Sequence, residues 1–172
     1  MECRLWSKIY GLDTVCLRYF NVYSEDQKAV SAYATAISNW MEHIKSERTP
    51  FLNGDGTQRR DMVHVNDVLS ANVFAMDYEG VFRGSTYDVG TGNNISLNEV
   101  IKIIHKHFPH VEFEQRPPRK GDVLLTRANT TPLKNLGWEA SITIVDGINS
   151  CFKELQEFKS GKGRSALRNR VY

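Results

Sequence analysis

Two arginines stand side by side in the stretch GDGTQRRDMVHV (residues 54 to 65), after a turn containing Gly54 and Gly56 and before a short apolar strand. Guanidinium is a planar fork of donors that matches the oxygens of a phosphate, which the point charge of a lysine does not. Neighbouring strand residues project to opposite faces, so only one of Arg59 and Arg60 can enter a cleft. A second fork, Arg119, lies in RPPRKGDV (residues 116 to 123), where prolines stiffen the loop. Asp122, three residues on, offers a carboxylate that can accept from vicinal hydroxyls such as those of a ribose. Phosphate donor and hydroxyl acceptor on one loop suit a nucleotide. Asn21, in LRYFNVY (residues 17 to 23), sits at the C-terminal end of an expected strand, the edge at which open α/β sheets bind ligands. Each has a plainer alternative: Asn21 as a polar residue ending a strand in a turn, and Arg60 as one half of a surface ion pair with Asp61 or a neighbour.

Two other patterns carry less. YDVGTGNNISLNEV (residues 87 to 100) runs from a strand through Gly-Thr-Gly into a helix, but Ile95 stands where a dinucleotide fingerprint needs its third glycine, so a turn is expected. His105, His107 and His110 are close in HKHFPH, yet residues two apart on a helix diverge and Pro109 breaks the element. No metal site is expected there.

The elements that position these residues alternate. A helix over residues 1 to 10 carries Leu5 and Ile9 and stops at Gly11; TVCLRYF (14 to 20) reads as a buried strand. Tyr33, Ile37, Trp40, Met41 and Ile44 share a helix face. Strand MVHV leads to a helix from about Asn66, capped by Asn66 or Asp67, with Leu69, Val73 and Met76 inward. STYDVG (85 to 90) is a strand, Ser96 and Glu99 form a capping box ahead of Leu97, Val100, Ile101, Ile104 and Phe108, and VEFEQR (111 to 116) is another strand. A last helix places Val145, Ile148, Phe152 and Leu155 inward. The class is α/β.

With 172 residues, 41% hydrophobic and 24% charged, the chain can bury a core without staples. A net charge of +2 argues against a general nucleic-acid binder, no apolar run is long enough to span a membrane, and MECRLWSK lacks a signal peptide's apolar stretch, so a cytoplasmic protein is expected. Cys3, Cys16 and Cys151 read as reduced core residues, and the acid-free segment from Lys159, with Lys162, Arg164, Arg168 and Arg170, as a basic mobile tail over 159 to 172.

LRYFNVY, NGDGTQRRDMVHVNDV, YDVGTGNNISLNEV, RKGDV and LGW occur in an order and spacing that resembles the nucleotide-sugar epimerase/dehydratase family, the extended short-chain dehydrogenase/reductases. The resemblance runs over roughly residues 1 to 155 and implies a partial Rossmann-type sheet edge plus the smaller substrate-binding α/β domain, within 1 to 158. It implies NAD as cofactor, a UDP-hexose as ligand, Asn21, Arg60 and Arg119 on the sugar diphosphate, and Asp122 on the ribose. It sets Tyr19 and Phe20 beside the nicotinamide, backbone of Ile37 to Trp40 at the base, and Arg59 toward solvent. The family's Tyr-x-x-x-Lys and glycine-rich NAD loop have no counterpart here, so no catalytic residue is assigned and the N-terminal cofactor half is expected to be absent. A second copy, or a partner chain supplying that half as in a split epimerase, is the expected companion; a non-catalytic scaffold is the alternative. This chain departs from the family's Gly-Pro-Arg at Ser24-Glu25-Asp26, from a proline at Ser38, from an aromatic at Met62, and from Ala-Asp at Ala128-Asn129.

Overall fold

Strand pairing divides the protein into two lobes. The structure, a computed structural model, describes residues 2–27 and 34–161. The first lobe holds α1 (Glu2–Tyr10), β1 (Val15–Tyr19), α3 (Val65–Asp77), β6 (Ser85–Val89) and α5 (Thr131–Lys134). β1 and β6 are parallel, Val15 opposite Ser85 and Tyr19 opposite Val89, with α3 in the crossover that a parallel pair requires. The second lobe holds α2 (Ala36–Lys45), β3 (Phe51–Asn53), β4 (Arg59–Arg60), β7 (Ile95–Ser96), α4 (Leu97–His107), β8 (Glu114–Arg116) and α6 (Ile144–Lys159). There β3 pairs in parallel with β8, β4 antiparallel with β7, and both α4 and α2 pack on α6. A short parallel pair, β2 (Val22–Tyr23) with β5 (Val63–His64), joins the lobes.

Each lobe has its own apolar cluster and its own tryptophan. Trp40 belongs to the larger one with Ile37, Ile104, Ile148 and Phe152, and its indole donates to Phe51 O at 2.8 Å. Trp138 belongs to the smaller one with Val63, Val89 and Leu133, and donates to Ser70 Oγ at 3.0 Å. The capping box forms as expected: Ser96 Oγ accepts from Glu99 N at 3.1 Å while Glu99 Oε2 accepts from Ser96 N at 2.9 Å. Gly11 ends α1 at φ +65°, a left-handed conformation that costs glycine little.

Five expectations are corrected. The cap of α3 is His64, whose Nδ1 accepts from Asn66 N, because Asp67 is buried and taken up by Ser141 N, Ser141 Oγ and Ile142 N at 2.8 to 3.0 Å. That anchor also sets the helix rotation: Asp67, Ala71 and Phe74 lie on one face, so Leu69, Val73 and Met76 point outward, Met76 being 83% exposed. On α6 the buried stripe begins at Ile144, and Val145 is exposed. β1 has no fully buried residue, since it pairs on one side with β6 and no described strand lies on the other. Of the cysteines, Cys151 is buried, its thiol pushed well up by that burial, whereas Cys3 and Cys16 are half-buried. Tyr33 and the tail from Lys162 lie outside the described residues. Among the described residues no helix is long and apolar enough to cross a membrane.

Candidate functional site

The turn before the two arginines depends on Gly56, which sits at φ +78° where an added Cβ would stand 2.1 Å from Asn98 Oδ1. Beyond it, β4 sends its two guanidinium groups to opposite sides. Arg60 turns into a cavity of about 250 Å³ and donates to Asp122 Oδ1 at 2.5 Å and to Arg59 O at 3.0 Å. Arg59 lies on the solvent side, its side chain 39% exposed, but it is not free there. It donates to Asn94 Oδ1 at 2.6 Å and to Glu99 Oε2 at 2.9 Å, tying β4 to the start of α4. Glu99 is held below the usual carboxylate range, first by the Ser96 hydroxyl, then by the Ser96 backbone, with Arg59 adding to the effect.

The loop after β8 brings Arg119 and Asp122 to the same cavity. With its amide turned to present oxygen, Asn53 accepts from Arg119 Nε at 3.1 Å and Nη2 at 3.3 Å. Asn21 reaches the cavity from the turn after β1 at φ +39°, a left-handed position that asparagine tolerates. Its Nδ2 donates to Asp61 O at 2.6 Å and Thr126 Oγ1 at 3.3 Å. At the far side stand Asn39 and Trp40 of α2, while Ile37 and Ser38 are buried behind them. A second, more open space of about 710 Å³ shares Asn53, Gln58, Arg119 and Asp122 with the first. The cavity therefore offers two guanidinium forks, one carboxylate and four side-chain amides, a set suited to an anion that also carries hydroxyls.

Tyr19 and Phe20 are not among the residues lining that cavity. Tyr19 is 46% exposed and donates through its hydroxyl to Asn72 Oδ1 at 3.0 Å. Nor does the turn over residues 90 to 94 fit a dinucleotide's pyrophosphate. Its amides are bound to Asp61, an added Cβ on Gly90 would meet Ala128 Cβ at 2.5 Å, and the Glu99 carboxylate closes the helix start that phosphate would need. His105 and His107 turn to different partners, Val111 O and Asn149 Oδ1.

The sequence offered Asp61 only as a surface partner for Arg60, a role that Asp122 takes instead. Asp61 is fully buried beside Arg60, and its carboxylate accepts from Thr91 N, Thr91 Oγ1, Gly92 N and Ala128 N at 2.9 to 3.0 Å. Its own carbonyl holds Asn21, and its amide donates to Thr126 Oγ1 at 3.2 Å. The signal was present: a tight glycine turn exposes successive N–H groups that need an anion, and an acid stood next to the arginine pair.

A family model described as the NAD dependent epimerase/dehydratase family matches residues 1–90. The putative UDP-glucose 4-epimerase of Methanocaldococcus jannaschii is 33% identical over 146 residues, 84% of this chain and 46% of that protein. UDP-glucose 4-epimerase of Bifidobacterium longum is 33% identical over 151 residues, covering 77% and 43%. The chain thus spans about half the length of the curated relatives it matches. Among solved structures, UDP-glucose 4-epimerase from Thermotoga maritima, with UDP-glucose, matches with a TM-score of 0.81 and 29% identity over 94% of this chain and 50% of that one. UDP-N-acetylglucosamine 4-epimerase from Methanobrevibacter ruminantium, in complex with UDP-N-acetylmuramic acid, matches with a TM-score of 0.80 and 25% identity over 93% and 50%.

Proposed function

The chain belongs to the NAD dependent epimerase/dehydratase family, and from that footing we propose that the Arg60 cavity is the nucleoside-diphosphate end of a nucleotide-sugar site, with a UDP-hexose as ligand. The observation that carries this reading is convergence. Asn21, Arg60, Arg119 and Asp122 come from separate stretches of sequence and line one cavity. An arriving diphosphate replaces Asp122 as the partner of Arg60 and takes a second fork from Arg119, and the freed Asp122 carboxylate accepts from the ribose hydroxyls. Asn21 holds the sugar diphosphate at the strand end, and the backbone of the first turn of α2, over Ile37 to Trp40, meets the base.

NAD supplies the hydride acceptor in the same reading, with Tyr19 and Phe20 beside its nicotinamide. This chain's own residues are assigned binding and orientation, because no Tyr-x-x-x-Lys occurs in its sequence to move the proton. The apolar stripes on α1 and α3, with Leu5, Ile9, Leu69 and Val73 exposed, form the face for the family's cofactor-binding half or for a second copy. Light scattering at several concentrations tests the assembly, and a strict monomer at all of them counts against it.

Calorimetry with UDP tests the site. Charge-assisted hydrogen bonds are worth about 1.5 to 3 kcal/mol, so Arg60→Ala or Arg119→Ala weakens binding by roughly ten- to a hundredfold. Lysine at either position recovers part of the loss, and Arg59→Ala leaves binding nearly unchanged. If none of the substitutions at Asn21, Arg60, Arg119 and Asp122 matters, the protein is a scaffold, a reading that the Arg60–Asp122 pair favours by neutralising the cavity from within.

A further inference from the structure

Among the described residues one cluster of metal-ligating side chains lies off the arginine-lined cavity. Glu25, His64 and Cys151 present a carboxylate oxygen, an imidazole nitrogen and a sulfur within 4.8 Å of one another. They come from the turn after β2, the cap of α3 and the middle of α6, so no local spacing reveals them. Cys151 is fully buried and His64 nearly so, while the Glu25 side chain, 20% exposed, leaves a way in. His64 Nε2 is 3.1 Å from Glu25 Oε2, and its Nδ1 accepts from Asn66 N at 3.2 Å, which makes the imidazole neutral with its proton on Nε2. Beside the cluster lies an orphan. The Tyr23 hydroxyl is buried with no partner among the described residues, its ring edge-on to His64 at 5.3 Å. An added Cβ on Gly147, one turn before Cys151 on the same face of α6, would meet that hydroxyl at 2.1 Å.

We propose that Glu25, His64 and Cys151 form a three-ligand zinc site. Oxygen, nitrogen and sulfur donors suit zinc, and a carboxylate, a thiolate and a neutral imidazole together balance its two charges. Ligand atoms around a tetrahedral zinc stand about 3.5 Å apart, so side-chain rotation closes the cluster onto the ion. Tyr23 is the neighbouring hydroxyl able to hold a water in the fourth position. On binding, Cys151 releases its thiol proton to solvent and the imidazole proton moves from Nε2 to Nδ1. That move gives up the 3.2 Å cap from Asn66 N and sets two donors, Nδ1–H and Asn66 N–H, against each other, so the first turn of α3 must shift to separate them.

Cobalt(II) added to the chelator-treated protein reads the site directly. The expected result is one equivalent bound, with a thiolate-to-cobalt charge-transfer band and the strong visible bands of four-coordination, both bleached by zinc. Zinc alone raises Tm of the native protein. Glu25→Gln weakens binding at least as much as the roughly 10- to 100-fold that loss of an outer partner costs. Cys151→Ser removes the charge-transfer band, and His64→Asn deletes the ligand while keeping a capping side chain. If Cys151→Ser does not fold, Glu25→Gln at the accessible mouth decides. Six-coordinate cobalt without a thiolate band, as His105, His107 and His110 would give, overturns the site, as does a Glu25→Gln protein that binds as tightly as the native one.

Discussion

Around α2, α4 and α6, seventeen buried side chains close on one another, whereas between β1, β6 and α3 only six do among the described residues. What the thinner lobe has instead is carboxylates. Asp61 gathers the amides of Thr91, Gly92 and Ala128, Asp67 those of Ser141 and Ile142, and Asp88 takes Arg18 and the amide of Asn129. At the surface, Asp13 holds the amides of Phe82 and Arg83. A buried carboxylate that receives several N–H donors fixes loops that a small apolar core cannot order by contact alone. The lobes thus reach order by unlike means, and the cavity with Arg60 lies where a strand of one meets the clamp of the other.

The comparison is open to attack from its strongest point down. Phe152→Ala empties the centre of the larger cluster and should cost about 3 to 5 kcal/mol in urea unfolding. Asp61→Ala removes far fewer atoms but leaves the amides of Thr91, Gly92 and Ala128 unpaired, the last of them buried, and should still cost about 3 kcal/mol. A loss under about 1 kcal/mol there would mean that the thin lobe does not depend on its clamps.

Acid should act next. Asp13 is held below the usual carboxylate range by the amides of Phe82 and then Arg83, and Glu99 likewise by Ser96. With the folded value depressed, each contributes stability that is full above about pH 4 and is lost as pH falls through the folded pKa. The denaturation midpoint, followed from neutral pH downward, should drop through that window, and Asp13→Asn should flatten the fall. A profile unaffected by Asp13→Asn would remove the charge from the account. Smallest is the outer face of α3: at concentrations where the protein is monomeric, Leu69→Ser or Met76→Ser should stay within about 0.5 kcal/mol, because neither side chain is in the core. A larger loss in the monomer would place that face inside the fold and leave it unable to serve the assembly proposed above.

Local signals carried most of what was legible beforehand. Ser96 and Glu99, three residues apart, announced α4 and its inward stripe, and the alternation of strand side chains separated Arg59 from Arg60. What escaped was decided across long separations. The rotation of α3 hangs on Asp67 meeting Ser141 and Ile142, and two apolar stripes on one helix look alike until that contact is known. That Arg59 is held on the solvent side was decided by Asn94 and Glu99, distant in sequence, which lie beside it. The placement of Asn21, Arg60, Arg119 and Asp122 around one cavity came from matched motifs; that Arg60 and Asp122 hold each other in the free protein did not.

Asp61 also sets a clock. Thr91 N, Gly92 N and Ala128 N share its carboxylate, so these amides reach solvent only when that carboxylate lets go. Deuterium should therefore enter the three positions with one common opening free energy, although Ala128 is far along the chain from the other two. Asn21 hangs on the backbone carbonyl of the same residue. The interval between such openings is the lifetime over which the residues around the Arg60 cavity keep their arrangement, and it is governed by a side chain that does not line that cavity.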